Sequence, residues 1–139
     1  LLAQARDLAS QGMGERQLRL LAEAGDIPVI QGERGRLMQA FLNIFLNAFE
    51  AVPDNGRVRY RTSYQPSDGM VRVEIGNTGT RIAREVKERM FEPFFTTKEK
   101  GSGLGLSIAH QIIAAHGGSI IAESSDEETV IQVLLPTRG

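Results

Sequence analysis

Asparagine stands at position 43 and again at 47, one helical turn apart, in a stretch whose other positions are mostly apolar. Projected at about 100° per residue, Arg36, Gln39, Asn43, Asn47 and Glu50 fall on one narrow face. Leu37, Phe41, Ile44, Phe45, Ala48 and Val52 cover one flank of that face, and Leu42, Leu46 and Phe49 cover the other. A surface helix ordinarily carries one apolar stripe and a wide polar face; here the proportion is inverted. Such a helix is expected to be buried on both flanks, with a thin polar edge left over. An amide buried without a partner costs roughly 1–3 kcal/mol, so that edge must meet something polar. Two readings satisfy this. Either Asn43 and Asn47 tie neighbouring loops, or their side-chain oxygens face a hydrated Mg²⁺ between phosphates, an ion that takes oxygen ligands and keeps several waters.

A second chemical feature is the run Gly101-Ser102-Gly103-Leu104-Gly105 directly before a helical segment. Free N–H groups and the helix dipole favour anions at such a place, and glycines let the backbone approach phosphate oxygens closely. The P-loop order G-x-x-x-x-G-K-[ST] is absent, and the third glycine of a dinucleotide fingerprint would fall at Leu106. The third feature is Asn77-Thr78-Gly79, which ends an extended segment and turns toward Ile82, either as an ordinary turn or as a polar group at the mouth of a sheet.

These residues need elements to hold them. Residues 1–10 have helical composition and stop before Gly12 and Gly14. Arg16 to Ala24 reads as a strand, and Ile27 to Ile30 as a short extended piece after a Gly-Asp turn. The long helix is expected from Glu33 to Val52, ended by Pro53 and Asp54-Asn55-Gly56. Strands at 57–64 and 70–76 form a hairpin, a short helix covers 83–90, and a further helix runs from the glycine loop to His116 and stops at Gly117-Gly118. Strands at 119–124 and 129–135 close the chain around Asp126-Glu127-Glu128, read as a solvated hairpin tip. The grouping argues for an α+β domain, a two-layer sandwich with helices on one face of a mixed, mostly antiparallel sheet.

Composition bounds the rest. With 139 residues, 41% hydrophobic and 24% charged, the chain suits one soluble globular core. No apolar run approaches the roughly 20 residues that span a bilayer, so no membrane insertion is expected. A formal net charge of −1 argues against a nucleic-acid partner. The absence of cysteine removes disulfides and thiolate chemistry, and His110 and His116 are too few for a metal cluster and read as helix-surface or helix-end residues.

Asn43-x-x-x-Asn47, Asn77-x-Gly79-x-x-Ile82, Phe91-Glu-Pro-Phe-Phe-Thr-Thr-Lys98 and Gly101-x-Gly103-x-Gly105 stand in one order. That order resembles the N, G1, F and G2 boxes of bacterial sensor histidine kinases, within the superfamily that includes gyrase, Hsp90 and MutL. The Phe91–Lys98 run with its short gap before Gly101 looks most like the nitrogen-regulatory class. The resemblance implies a Bergerat-type fold and a catalytic domain over 15–139, with 1–14 as the remnant of a linker helix from a preceding dimerisation domain. It implies ATP and Mg²⁺ as ligands. Asn47 would hold the metal and Asn43 assist at metal or phosphate. Lys98 would reach the terminal phosphate, so Asn47 and Lys98 carry the catalytic roles. Gly101, Ser102, Gly103, Leu104 and Gly105 would line the phosphates, with Glu50, Phe91, Thr97 and Leu106 completing the nucleotide site. Asn77, Gly79, Ile82 and Thr129 would surround adenine.

Asn77 replaces the usual aspartate of that pocket, and Arg81 the second glycine of the usual G1 pattern. An amide free to rotate offers oxygen to adenine or NH₂ to guanine, so Asn77→Asp is expected to tighten adenine binding and sharpen discrimination. The superfamily's ATPases place a glutamate where Asn43 stands, and an amide cannot take a proton from water. Phosphoryl transfer is thus favoured over hydrolysis, with an ATPase clamp or a nucleotide-sensing module as the alternatives. The acceptor histidine belongs to the separate dimerisation domain of the parent protein, since neither His110-Gln111 nor His116-Gly117 matches its motif. A downstream response regulator is the further partner, and a cytoplasmic location is implied for this domain, whether or not its parent is membrane-anchored.

Overall fold

The computed structural model describes residues 1–10, 19–24, 33–53, 55–79, 82–92 and 105–137. The short extended piece expected at 27–30 lies outside them. Helix α1 spans Leu2–Ser10, strand β1 Arg19–Ala24, helix α2 Arg34–Ala51, and strands β2 and β3 Arg57–Gln65 and Met70–Thr78. Helix α3 covers Arg84–Arg89 and α4 Gly105–Ala115; strands β4 (Ser119–Ser124) and β5 (Glu128–Pro136) follow. The strands form one sheet in the order β1-β2-β3-β5-β4. β1 runs parallel to β2, and every other pairing is antiparallel, which gives the mixed, mostly antiparallel sheet expected.

Side chains alternate across the sheet because successive residues of a strand point to opposite faces. Val58 and Tyr60 on β2, Val71, Val73 and Ile75 on β3, and Ile131, Val133 and Leu135 on β5 are buried beneath the helices. Leu37, Phe41, Ile44, Phe45, Ala48 and Phe49 of α2 enter the same core. Phe45 stands edge-on to Tyr60 with ring centroids 5.8 Å apart, the arrangement favoured by the aromatic quadrupole. Leu42 and Leu46, on the second flank of α2, are half-buried against this core. Both flanks are therefore covered, one more deeply than the other.

The segment read as a linker helix shares this core. Ala5 is fully buried, the Arg6 guanidinium lies 5.6 Å from the Tyr60 ring centre, and Arg34 Nη2 donates to Gln4 Oε1 at 2.6 Å. At the same end of α2, the N-cap residue Glu33 makes no side-chain cap. Its backbone N–H instead donates to His116 Nε2 at 3.1 Å, while His116 Nδ1 lies 2.8 Å from the Ile112 carbonyl. Nδ1 must therefore carry the proton and Nε2 must accept. His116 is at a helix end, as expected, but it links two helices.

Glu128 corrects the reading of the acidic turn as wholly solvated. It opens β5, and its carboxylate accepts hydrogen bonds from Arg59 Nη2 at 2.7 Å and Nε at 3.1 Å. Glu74 lies 3.6 Å from Arg59 Nη1 on the same outer face. Hydrogen bonding to Glu128 holds the Arg59 guanidinium above its ordinary pKa, against the opposing effect of burial.

Helix α4 ends in a Schellman arrangement: Gly118 N–H donates to the Ile113 carbonyl at 2.9 Å and Gly117 N–H to Ala114 at 3.0 Å, with Gly117 at φ +77°. Gly118 has the tighter surroundings, because a Cβ there would lie 2.2 Å from the Leu134 carbonyl oxygen. We expect Gly118→Ala to destabilise the domain by about 3 kcal/mol, the upper end of overpacking costs. Gly117→Ala should cost about 1 kcal/mol, the penalty of a left-handed residue with a side chain. Urea unfolding midpoints of the two variants check this order.

Candidate functional site

The polar edge of α2 lies where the sheet, α2 and the start of α4 converge. Asn43 and Asn47 are half-buried on it, and Arg36, Gln39 and Glu50 are exposed. Asn43 Nδ2 donates to the Gly105 carbonyl at 3.1 Å. Asn43 thus ties α2 to the first residue of α4, and with its NH₂ engaged there its Oδ1 is the atom that remains to ligate. The two readings of this asparagine are compatible: one end ties a neighbouring segment and the other end is an oxygen donor.

Two turns further along α2, about 12 Å at 1.5 Å per residue, the helix meets the turn after β3. Gly79 lies at φ +150°, a backbone conformation that residues with a side chain rarely adopt, although an added Cβ would make only ordinary contact with the Ala51 carbonyl oxygen at 3.5 Å and Asn77 Nδ2 at 3.7 Å. The backbone around Gly56 closes the same corner, and any Cβ there would meet the Pro53 carbonyl oxygen at 2.9 Å and Thr78 Oγ1 at 2.8 Å. Glycine is thus required where three segments converge.

Asn77 and Thr129 are cross-strand partners on β3 and β5, facing the helices and 6% and 5% exposed. Asn77 Nδ2 donates to the Thr78 carbonyl at 3.1 Å. In this orientation the amide NH₂ is engaged and Oδ1 points away from the Thr78 carbonyl. Ile82 is half-buried nearby, with its N–H donating to Ser124 Oγ at 2.9 Å, and Ser124 Oγ lies 2.9 Å from Thr129 Oγ1. An open hollow of about 530 Å³ adjoins this corner, lined by Ile82, Ala83, Arg84, Lys87 and Ser124. It shares Ile82 and Ser124 with the Asn77 corner but includes neither asparagine of α2.

Phe91 and Leu106 are half-buried against the core, and the Phe91 ring lies 6.0 Å from the exposed His110 of α4. Thr97, Lys98, Gly101, Ser102, Gly103 and Leu104 lie outside the described residues, as does Arg81. Ser124 is a polar residue of this region that sequence reasoning passed over. Its signal is the register of a hairpin that turns at Asp126-Glu127, which sets Ser124 opposite Thr129.

Residues 32–139 match the family model described as histidine kinase-, DNA gyrase B-, and HSP90-like ATPase. The chain is 34% identical to the sensor histidine kinase ZraS of Escherichia coli K12 over 138 residues, which is 98% of this chain and 29% of ZraS. It is also 34% identical over 147 residues to the sensory histidine kinase/phosphatase NtrB of Rhodobacter capsulatus, covering 98% of this chain and 41% of NtrB. The chain therefore spans less than half the length of either relative. Among solved structures, the nucleotide-free catalytic domain of histidine kinase ThkA superposes with a TM-score of 0.87 at 32% identity, covering 99% of this chain and 90% of that one. ThkA in complex with the response regulator TrrA superposes with a TM-score of 0.82 at 30% identity, over 98% of this chain and 39% of that one. The chain belongs to the histidine kinase-, DNA gyrase B- and HSP90-like ATPase family and, within it, to the catalytic ATP-binding domains of sensor histidine kinases.

Proposed function

We propose that this domain binds Mg-ATP along the polar edge of α2 and donates the γ-phosphoryl group to a histidine on a separate dimerisation domain of its parent protein. The observation that carries this reading is the hydrogen bond from Asn43 Nδ2 to the Gly105 carbonyl, which sets an amide oxygen of α2 beside the start of the glycine-loop helix. Oxygen donors one turn apart at Asn43 and Asn47 fit Mg²⁺, which accepts neutral oxygen ligands and retains water. When bound, the ion neutralises charge that develops on the transferring phosphoryl group.

The chain's own residues have the following parts. Asn47 holds the metal and Asn43 supports metal and phosphate. The N–H groups of residues 101–105 cradle the phosphates, and Lys98 meets the terminal one. Gly79, Ile82, Asn77 and Thr129 enclose the adenine, while Glu50, Phe91, Thr97 and Leu106 bound the site. A ring nitrogen of the acceptor histidine forms a bond to the γ-phosphorus as the bond to the bridging β–γ oxygen breaks, and ADP leaves. No water needs to be activated. That suits Asn43, whose amide cannot act as a general base. The phosphoryl group then passes to a response regulator, a partner class supported by the solved complex of ThkA with TrrA.

Two outcomes follow. Asn47→Ala should weaken Mg-dependent ATP and ADP binding by about 1.5–3 kcal/mol, roughly tenfold to a hundredfold in Kd, without unfolding the domain. Calorimetry of the folded variant reads this, and unchanged affinity would remove Asn47 from the metal site. The 139-residue chain alone, given radiolabelled ATP, should neither retain label nor release phosphate appreciably, and should pass label to an added dimerisation domain carrying the acceptor histidine. Stable label on His110 or His116, or phosphate release abolished by Asn43→Ala, would show a different chemistry.

A further inference from the structure

Two hydrogen bonds tie α4 to α2, and they stand at opposite ends of α4. At its first residue, the Gly105 carbonyl accepts from Asn43 Nδ2 at 3.1 Å. Just past its last residue, His116 Nε2 accepts the backbone N–H of Glu33, the N-cap of α2, at 3.1 Å. The partners fix the roles of this imidazole. The Glu33 N–H can only donate, and the Ile112 carbonyl, 2.8 Å from Nδ1, can only accept, so both ring nitrogens are committed in one tautomer. The two helices therefore run antiparallel. Glu33 to Asn43 is about 15 Å of helix and Gly105 to His116 about 16 Å, at 1.5 Å per residue. The ties match in spacing and close together at one longitudinal setting.

Apolar packing does not choose that setting. The buried side of α4 is Ser107, Ala109, Ile112 and Ile113, all small or aliphatic. Such contact is non-directional, so it holds the helices close without fixing how far one is displaced along the other. Hydrogen bonds at fixed points do that. A displacement of α4 would carry Gly105 and the free N–H groups of the first turn with it, the end of the helix that favours phosphate. We infer that His116 is a positioning residue for the polyphosphate: by holding the far end of α4 to the N-cap of α2, it sets where the near end stands relative to Asn43 and Asn47. The inference rests on the nucleotide-binding reading above. It also divides the site in two, since Asn77 and Thr129 are aligned by the β3–β5 ladder, independently of where α4 lies.

The test is calorimetry of Mg-ADP and of adenosine on the whole chain and four variants, each checked by thermal melting. His116→Ala should weaken Mg-ADP binding about three- to tenfold, the range of one neutral hydrogen bond, and leave adenosine affinity unchanged. His116→Gln carries an amide oxygen to the reach of Nε2 and should restore Mg-ADP affinity to within about twofold. His116→Asn reaches only as far as Nδ1 and should not restore it. Glu33→Pro removes the donor from the other side, at a φ of −82° close to the range that proline holds, and should reproduce the selective Mg-ADP loss. It covers the case in which His116→Ala does not fold. Equal weakening of Mg-ADP and adenosine, unchanged Mg-ADP affinity in folded His116→Ala or Glu33→Pro, or equal rescue by Asn and Gln would overturn this inference and leave the nucleotide reading intact. No nucleotide binding by the unmodified chain would overturn both.

Discussion

Burial of α2 on two flanks is the constraint from which the rest of this domain follows. Phe41, Ile44, Phe45 and Ala48 place one side of the helix in the core above the sheet, and on the other Phe49 is fully buried beside the half-buried Leu42 and Leu46. A fully buried side chain of this kind contributes about 1.5–3 kcal/mol, so the helix cannot roll to expose either flank cheaply. Its rotation about its own axis is thereby set, and with it the direction of Asn43 and Asn47. No side-chain cap secures its first residue. Packing, the Arg34–Gln4 hydrogen bond and the contact from His116 hold that end.

The site is assembled by short ties between this helix and segments distant in sequence. Asn43 reaches Gly105, and Glu33 meets His116. Each tie fixes a backbone group rather than a flexible side-chain tip. Stability and ligand positioning are consequently hard to separate here. The Schellman turn at Gly117-Gly118, for instance, both ends α4 and delivers β4 to the edge of the sheet, where Ser124 meets Thr129.

Much of this was legible in the sequence because it repeats on a short period. The 3.6-residue pattern revealed α2 and its polar edge, the two-residue alternation revealed both hairpins, and Gly117-Gly118 marked the end of α4. The four motifs named the family before any fold was in view. What was not legible depended on partners remote in sequence. The parallel pairing of β1 with β2, the burial of Ala5, and the pairing of Glu128 with Arg59 leave no local signature. Asn77 is the instructive case. Its type suggested an ambiguous reader, but the carbonyl of the next residue engages one end of the amide. Residue type lists what a side chain can offer, while the surrounding backbone decides which part is left to use.

Gly76 lies between Arg59 on β2 and Val130 on β5, and a Cβ there would stand 3.2 Å from Glu128 Oε2 and 3.4 Å from Arg59 Nε. Its missing side chain lets the arginine cross over β3 and grip a carboxylate two strands away. The two strands it thereby bridges flank the one that carries Asn77, and a slip of one residue in either pairing would turn inward-facing side chains outward. Arg59, bonded to Glu128 and paired with Glu74, fits only one alignment of the three strands. The water-facing side of the sheet thus acts as a register lock for the side that faces the helices.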